Sequence, residues 1–171
     1  VKLVDPETGA DTPVGEQGEL LSRSFMVMKG YYNLPEATAK AFTSDGWFRS
    51  GDLGYLDRDG YLYISDRLKD MIISGGENIY PAEIENHISS IEGVTGVGVI
   101  GIPDEQWGEV PWAVITVKDG IDLDTETVRA HLDGKLARYK LPKNVVIVDE
   151  LPRTASGKVR KADLRARFGN G

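Results

Sequence analysis

Between Asp66 and Asp70 the spacing of apolar residues changes character, and any fold for this 171-residue chain has to accommodate that change. Before it, short strand-like runs alternate with turns rich in Gly, Pro, Asp and Thr; after it, strands are interleaved with segments of helical period. The pattern predicts two units, residues 1–66 and 67–171, and an α+β fold for the second. At 40% hydrophobic residues the chain has enough apolar side chains for a packed core.

In the first unit, Lys2-Leu3-Val4 and Gly18-Glu19-Leu20-Leu21-Ser22 read as strands, and residues 34–42 as a short helix with Pro35 in its first turn. The clearest element is a hairpin. Residues 53–57 and 61–65 flank Arg58-Asp59-Gly60, a three-residue loop whose final Gly accepts the left-handed conformation. In regular register Asp57 faces Tyr61, Leu53 faces Ser65, and Asp52 and Arg67 emerge at the same open end. In the second unit Met71-Ile72-Ile73 is a buried strand ended by Gly75-Gly76. Pro81 opens a helix with Ile84, Ile88 and Ile91 on one face, and Glu83 and Glu85 suit its N-terminal end. Residues 94–102 and 112–117 are strands. Asp124 caps a helix carrying Val128, Leu132 and Leu136, residues 144–148 form a last strand, and residues 160–168 a terminal helix.

Charge and composition exclude several function classes. A net charge of −7 argues against generic nucleic-acid binding, although residues 135–167 carry ten Lys/Arg against three Asp/Glu, a local +7 that leaves −14 elsewhere. That basic stretch reads either as a solvated surface or as one that meets phosphates. There is no Cys, which removes disulfides, Cys-ligated zinc and a thiol nucleophile. His87 and His131 have no zinc or triad spacing, and no metal site is expected from the residues. No apolar run approaches the roughly 20 residues of a membrane-spanning helix. The start at Val1, without an initiator Met or the regions of a signal peptide, leads us to expect a piece of a longer protein in a cytoplasmic setting.

Three small constellations could carry chemistry. A carboxylate at Asp52 can accept two hydrogen bonds from a vicinal diol beside the donor fork of Arg67, which suits a ribose; spacing alone equally describes an exposed ion pair worth under about 1 kcal/mol, and favours it. Ser74-Gly75-Gly76-Glu77-Asn78 permits close approach of backbone to a ligand, or simply makes a turn. Thr154-Ala155-Ser156-Gly157-Lys158 places an ammonium in a small-residue loop, where it could reach developing negative charge or stay solvated. It is not a P-loop, because Pro152 and Val159 stand where that loop needs Gly and Ser/Thr. Trp107 and Trp112 are expected to pack.

The order of these segments is more specific than any one of them. Gly46-Trp47-Phe48-Arg49-Ser50-Gly51-Asp52-Leu53-Gly54, the run from Asp66-Arg67-Leu68-Lys69-Asp70 through Ser74-Gly75-Gly76-Glu77-Asn78 to Pro81-Ala82-Glu83-Ile84-Glu85, Arg138-Tyr139-Lys140-Leu141-Pro142-Lys143, and Leu151-Pro152-Arg153 with the Lys158 loop together resemble the adenylate-forming superfamily, and within it the acyl-CoA synthetases that act on fatty and related acids. The resemblance spans essentially the whole chain. It implies that residues 1–66 end a large AMP-binding domain and that 67–171 are the mobile C-terminal domain, hinged near Lys69. It also implies ATP with Mg2+, CoA and a carboxylic acid as reactants. Asp52 and Arg67 would bind the nucleotide ribose and Ile64 would pack on the nucleotide. Gly75, Gly76 and Glu77 would line the pantetheine tunnel, Tyr139 and Lys143 would meet the nucleotide end of CoA, and Lys158 would act in adenylation. Relatives that pass the acyl group to a carrier-protein thiol or to oxygen, and a stand-alone binding module, are the alternatives. The family's phosphate loop and acyl pocket are not among these residues, so the chain by itself is expected to be inactive.

Overall fold

The computed structural model describes residues 1–169, in two units: Val1–Lys69, and Asp70 onward. In the first, strands β1 (Lys2–Val4), β2 (Gly18–Ser22), β3 (Phe48–Leu56) and β4 (Leu62–Arg67) form an antiparallel sheet in that order, and helix α1 (Pro35–Ala41) lies between β2 and β3 in sequence. Leu3, Val4, Leu21 and Leu53 are its buried apolar residues. Glu19 is buried among them, 3.5 Å from the Arg49 guanidinium.

The β3–β4 hairpin closes as expected at its tip, where the Asp57 N–H donates to the Tyr61 carbonyl at 3.0 Å and Gly60 has φ +83°. Its register then departs from regularity. Gly54 pairs with Ile64, but Leu53 pairs with Asp66, so Ser65 is an extra residue on β4. The Ser65 hydroxyl donates to the Leu53 carbonyl at 3.1 Å, which satisfies an acceptor at the irregularity. Leu53 therefore faces Asp66 rather than Ser65. The same shift sets Asp52 directly opposite Arg67. Gly54 makes the close approach possible, because a Cβ there would lie 2.4 Å from the Tyr63 carbonyl oxygen.

The second unit is built on β5 (Ile72–Ser74), β6 (Glu77–Ile79), helix α2 (Pro81–Ser89), β7 (Val94–Asp104), β8 (Gly108–Val117), helix α3 (Thr125–Leu132), β9 (Asn144–Ile147) and helix α4 (Lys161–Phe168). The sheet runs β6-β5-β8-β7, and β9 pairs parallel to β8. Alternation along β7 and β8 produces two cores. Val99, Ala113 and Ile115 pack with Ile84 and Ile88 of α2 and Val128 and Leu132 of α3. Ile100, Ile102 and Val114 pack with Leu151 and with Leu164 of α4. A sheet covered on both faces explains why these strands read as nearly unbroken apolar runs.

Local chemistry starts and seats the helices. Pro81 occupies the first turn of α2, and the Asp124 carboxylate accepts from the Thr127 N–H at 2.7 Å to cap α3. Ile91 and Leu136, expected within these helices, lie just past their ends and still pack against the core. Helix α4 is tied down by Arg165 to Asp70 at 2.9 Å and by Lys161 to Glu85 at 2.8 Å. Two glycines of β7 let the α4 face approach: a Cβ at Gly98 would meet Leu164 at 2.9 Å, and one at Gly96 would meet Leu151 at 3.0 Å.

Gly54→Ala is expected to force the β3 and β4 backbones apart. Its predicted effect is a loss of about 1–3 kcal/mol, the range for overpacking a close contact, read from the midpoint of urea unfolding.

Candidate functional site

Asp52 and Arg67 meet across the hairpin. The Arg67 guanidinium donates to the Asp52 carboxylate at 2.5 Å, and both side chains keep access to solvent. The pair is held from the backbone, since the Asp52 N–H donates to the Ser50 hydroxyl at 3.0 Å and the Arg67 N–H to the Asp66 carboxylate at 2.7 Å. Ile64 lies exposed on the same strand as Arg67. Lys69, the last residue of the first unit, is exposed within a single turn of 3-10 helix, Leu68–Asp70.

Gly75 and Gly76 form the two-residue turn of a β5–β6 hairpin, with φ of +60° and +86° and Ser74 paired to Glu77. Positive φ at both central positions is the twist-matched hairpin geometry that glycine adopts without strain. The short strand β6 was not expected, because Glu77-Asn78-Ile79 is too brief for an alternating signal. Trp107 sits over this turn: the Gly75 N–H donates to its carbonyl at 2.8 Å, and a Cβ on Gly75 would meet its ring at 2.8 Å. Against expectation Trp107 is about half exposed, whereas Trp112 packs with the α4-side core. Its place at the tip of the β7–β8 hairpin, where the Asp104 carboxylate accepts from the Gln106 and Trp107 N–H groups at 3.0 Å, has a sequence signal only in Asp104 and Gly108.

A groove of about 390 Å³ opens beside this turn. Gly75, Glu77, Tyr139 and Lys143, from segments more than sixty residues apart, all line it, together with Trp107, Arg129 and Arg138. Gly76 belongs to the same turn but does not line the groove. Lys143 is engaged by Asp104 in an ion pair, and Lys140 by Glu83 at 2.7 Å. The Lys143 hydrogen bond, opposed by partial desolvation and aided by the Gln106 and Trp107 N–H groups, holds the Asp104 carboxyl below its ordinary value.

Lys158 lies elsewhere. Arg153 and Val159 bridge in antiparallel fashion, and the Thr154 N–H donates to the Lys158 carbonyl at 2.8 Å, so residues 153–159 form a tight loop with an exposed ammonium at its end. Gly157 has φ +84°, and its carbonyl accepts from Arg153 at 2.8 Å. Val159 seats this loop on the α4 face of the sheet, whereas the groove draws Arg129 and Leu141 from the α3 side.

With this geometry in view, the comparisons with known proteins are consistent. Residues 83–158 match the family model described as the AMP-binding enzyme C-terminal domain. Feruloyl-CoA synthase from Amycolatopsis sp is 52% identical over 169 residues, which are 99% of this chain and 34% of that protein. The long-chain-fatty-acid–CoA ligase FadD13 of Mycobacterium tuberculosis is 51% identical over 152 residues, covering 89% of this chain and 30% of that one. Among solved structures, ATP-bound MatB from Rhodopseudomonas palustris superimposes with a TM-score of 0.93 at 43% identity, covering 99% of this chain and 34% of MatB; the apo form of MatB, at the same identity and coverage, gives 0.70. The chain belongs to the adenylate-forming superfamily. It spans about a third of the length of the relatives it matches.

Because Asp104 titrates lower in the folded protein than its ordinary 3.8, its stabilising contribution is present above that value and is lost as pH falls through the folded value. Asp104→Asn is expected to reduce the loss of stability as pH falls below the ordinary 3.8, measured as unfolding midpoints across an acid series.

Proposed function

We propose that this chain is the C-terminal part of an ATP-dependent acyl-CoA synthetase, which activates a carboxylic acid as its acyl-adenylate and transfers it to CoA. The observation that carries the reading is the convergence of Gly75, Glu77, Tyr139 and Lys143 on one groove. A fatty or other apolar acid is the proposed substrate class. Feruloyl-CoA synthase and FadD13 resemble the chain about equally, at 52% and 51% identity, so the ring or chain of the acid is left to residues outside these 171.

In the first half-reaction the substrate carboxylate attacks the α-phosphate of ATP and pyrophosphate leaves. Asp52, oriented by Arg67, would accept hydrogen bonds from the ribose hydroxyls, and exposed Ile64 would pack on the nucleotide. The Lys158 ammonium, free at the end of its loop, would offset charge on the carboxylate and phosphate as the bond forms. Mg2+ would accompany the ATP phosphates as part of that substrate, and no step is routed through it. In the second half-reaction the CoA thiolate attacks the acyl carbonyl and AMP leaves. The Gly75-Gly76 turn, bare of side chains, would let pantetheine pass close to the backbone, and the groove would take the rest of CoA.

The Lys158 loop and the groove belong to different faces of one sheet, which suits alternating use. We assign the joint to Lys69.

In the intact protein Lys158→Ala is expected to slow adenylation by about 100- to 1,000-fold, read as pyrophosphate release, while thioester formation from preformed acyl-adenylate is retained. Equal loss of both half-reactions would remove the role. Lys69→Pro, which fixes φ at the joint, is expected to do the opposite. It should slow thioester formation and spare adenylation; normal thioester formation would place the joint elsewhere.

A further inference from the structure

We infer that Arg153 is a positioning residue for adenylation: its guanidinium, seated against the bare backbone of Gly96, fixes the peptide that carries Lys158. This role presupposes the synthetase reading above, in which Lys158 serves the first half-reaction. Within the loop the hydrogen bonds are local. The Thr154 N–H donates to the Lys158 carbonyl at 2.8 Å, the Gly157 N–H to the Thr154 carbonyl at 2.9 Å, and the Lys158 N–H to the Thr154 hydroxyl at 3.2 Å. These bonds shape the loop, but they join it to itself and not to the sheet. Arg153 makes a contact of another kind. One Nη donates to the Gly157 carbonyl at 2.8 Å, and that carbonyl belongs to the peptide bond whose nitrogen is Lys158's.

The other Nη lies against β7. A Cβ on Gly96 would come 3.0 Å from it, 3.0 Å from Leu151 and 2.8 Å from the Thr116 hydroxyl oxygen. Gly96 is not in the left-handed region, so what its missing side chain supplies is room. The guanidinium occupies that room with one nitrogen and holds the loop with the other. Val159, which bridges to Arg153 across the loop, packs against the α4-side core, where a Cβ on Gly98 would meet it at 3.0 Å. The base of the loop is thus seated by a valine and its tip by an exposed arginine. Lys158 carries its ammonium on a flexible four-carbon stem, so the peptide that bears it is the part the fold can hold in advance. A fixed fork of donors suits this task, because seating one nitrogen orients the next. Rate is sensitive to such placement, since a displacement of about 1 Å can cost about 100-fold.

The test is pyrophosphate release from ATP by the intact protein, with ferulate and palmitate as probe acids, set beside thioester formation from the preformed acyl-adenylate. Arg153→Gln is expected to slow pyrophosphate release by about 10- to 100-fold through kcat, with KM for ATP within about twofold and thioester formation unchanged. Retained thioester formation also reports that the variant is folded. Arg153→Lys, which keeps the charge and a donor for the Gly157 carbonyl, should recover part of the loss. Gly96→Ala, which crowds the guanidinium from β7 and removes no donor, should slow the same half-reaction. With Lys158→Ala already in place, Arg153→Gln should cost nothing further, because a residue that acts through the lysine has nothing left to aim. Equal slowing of both half-reactions, an unchanged rate of pyrophosphate release, or a full additional loss in the double variant would overturn the inference and leave the synthetase reading standing. A wild type that releases pyrophosphate with neither acid would instead sink that reading, and the inference with it.

Discussion

The burial of both faces of the β7–β8 ribbon is the constraint on which the second unit depends. Ile100, Ile102 and Val114 face one way and Val99, Ala113 and Ile115 the other, and all but Ile102 are wholly inaccessible to solvent. Each face needs a cover, which α2 and α3 provide on one side and α4 with Leu151 on the other. The covers in turn carry the candidate site residues. The segment leading into α4 holds the Lys158 loop, and the α3 side holds Arg129 and the run from Arg138 to Lys143. A two-faced core thus keeps two groups of polar residues apart by the thickness of a sheet.

Glycine works in this fold at points of contact between backbones and side chains. Gly96 and Gly98 let Leu151, Val159 and Leu164 reach the strand, and Gly54 lets β3 and β4 approach where Ser65 is inserted. That insertion has an electrostatic consequence. In a regular hairpin Asp52 would face Asp66, a like-charged neighbour; with the extra residue it faces Arg67. A single unpaired residue converts a repulsive pairing into an ion pair poised at the open end of the hairpin.

The groove shows how ion pairing apportions similar residues. Three cations, Arg138, Lys140 and Lys143, fall within residues 138–143, and by type alone any of them could meet a phosphate. Asp104 and Glu83 take up two of the lysines, each from a segment distant in sequence. Asp104 does so while also closing the β7–β8 turn that carries Trp107, so one carboxylate shapes the aromatic wall and anchors Lys143 beside it. Among the described residues, Arg138 and Arg129 line the same groove without a carboxylate partner.

Much was legible before folding. The hairpin about Gly60, the Pro81 start of α2, the Asp124 cap, the strands of the β7–β8 ribbon and the order of the motifs are local, since turn chemistry, capping and alternation act over a few residues. The open-end placement of Asp52 and Arg67 followed from hairpin counting, but their direct opposition did not, because an inserted residue leaves no mark in composition. Strand β6, the half-exposed Trp107, the engagement of Lys143 by Asp104 and the inclusion of Arg129 in the groove were decided by tertiary structure. Each depends on segments separated by about thirty residues or more, or on a strand of three residues that exists only because its partner pairs with it. Periodicity could say which residues turn inward; only packing could say which charges find each other and which are left to meet a ligand.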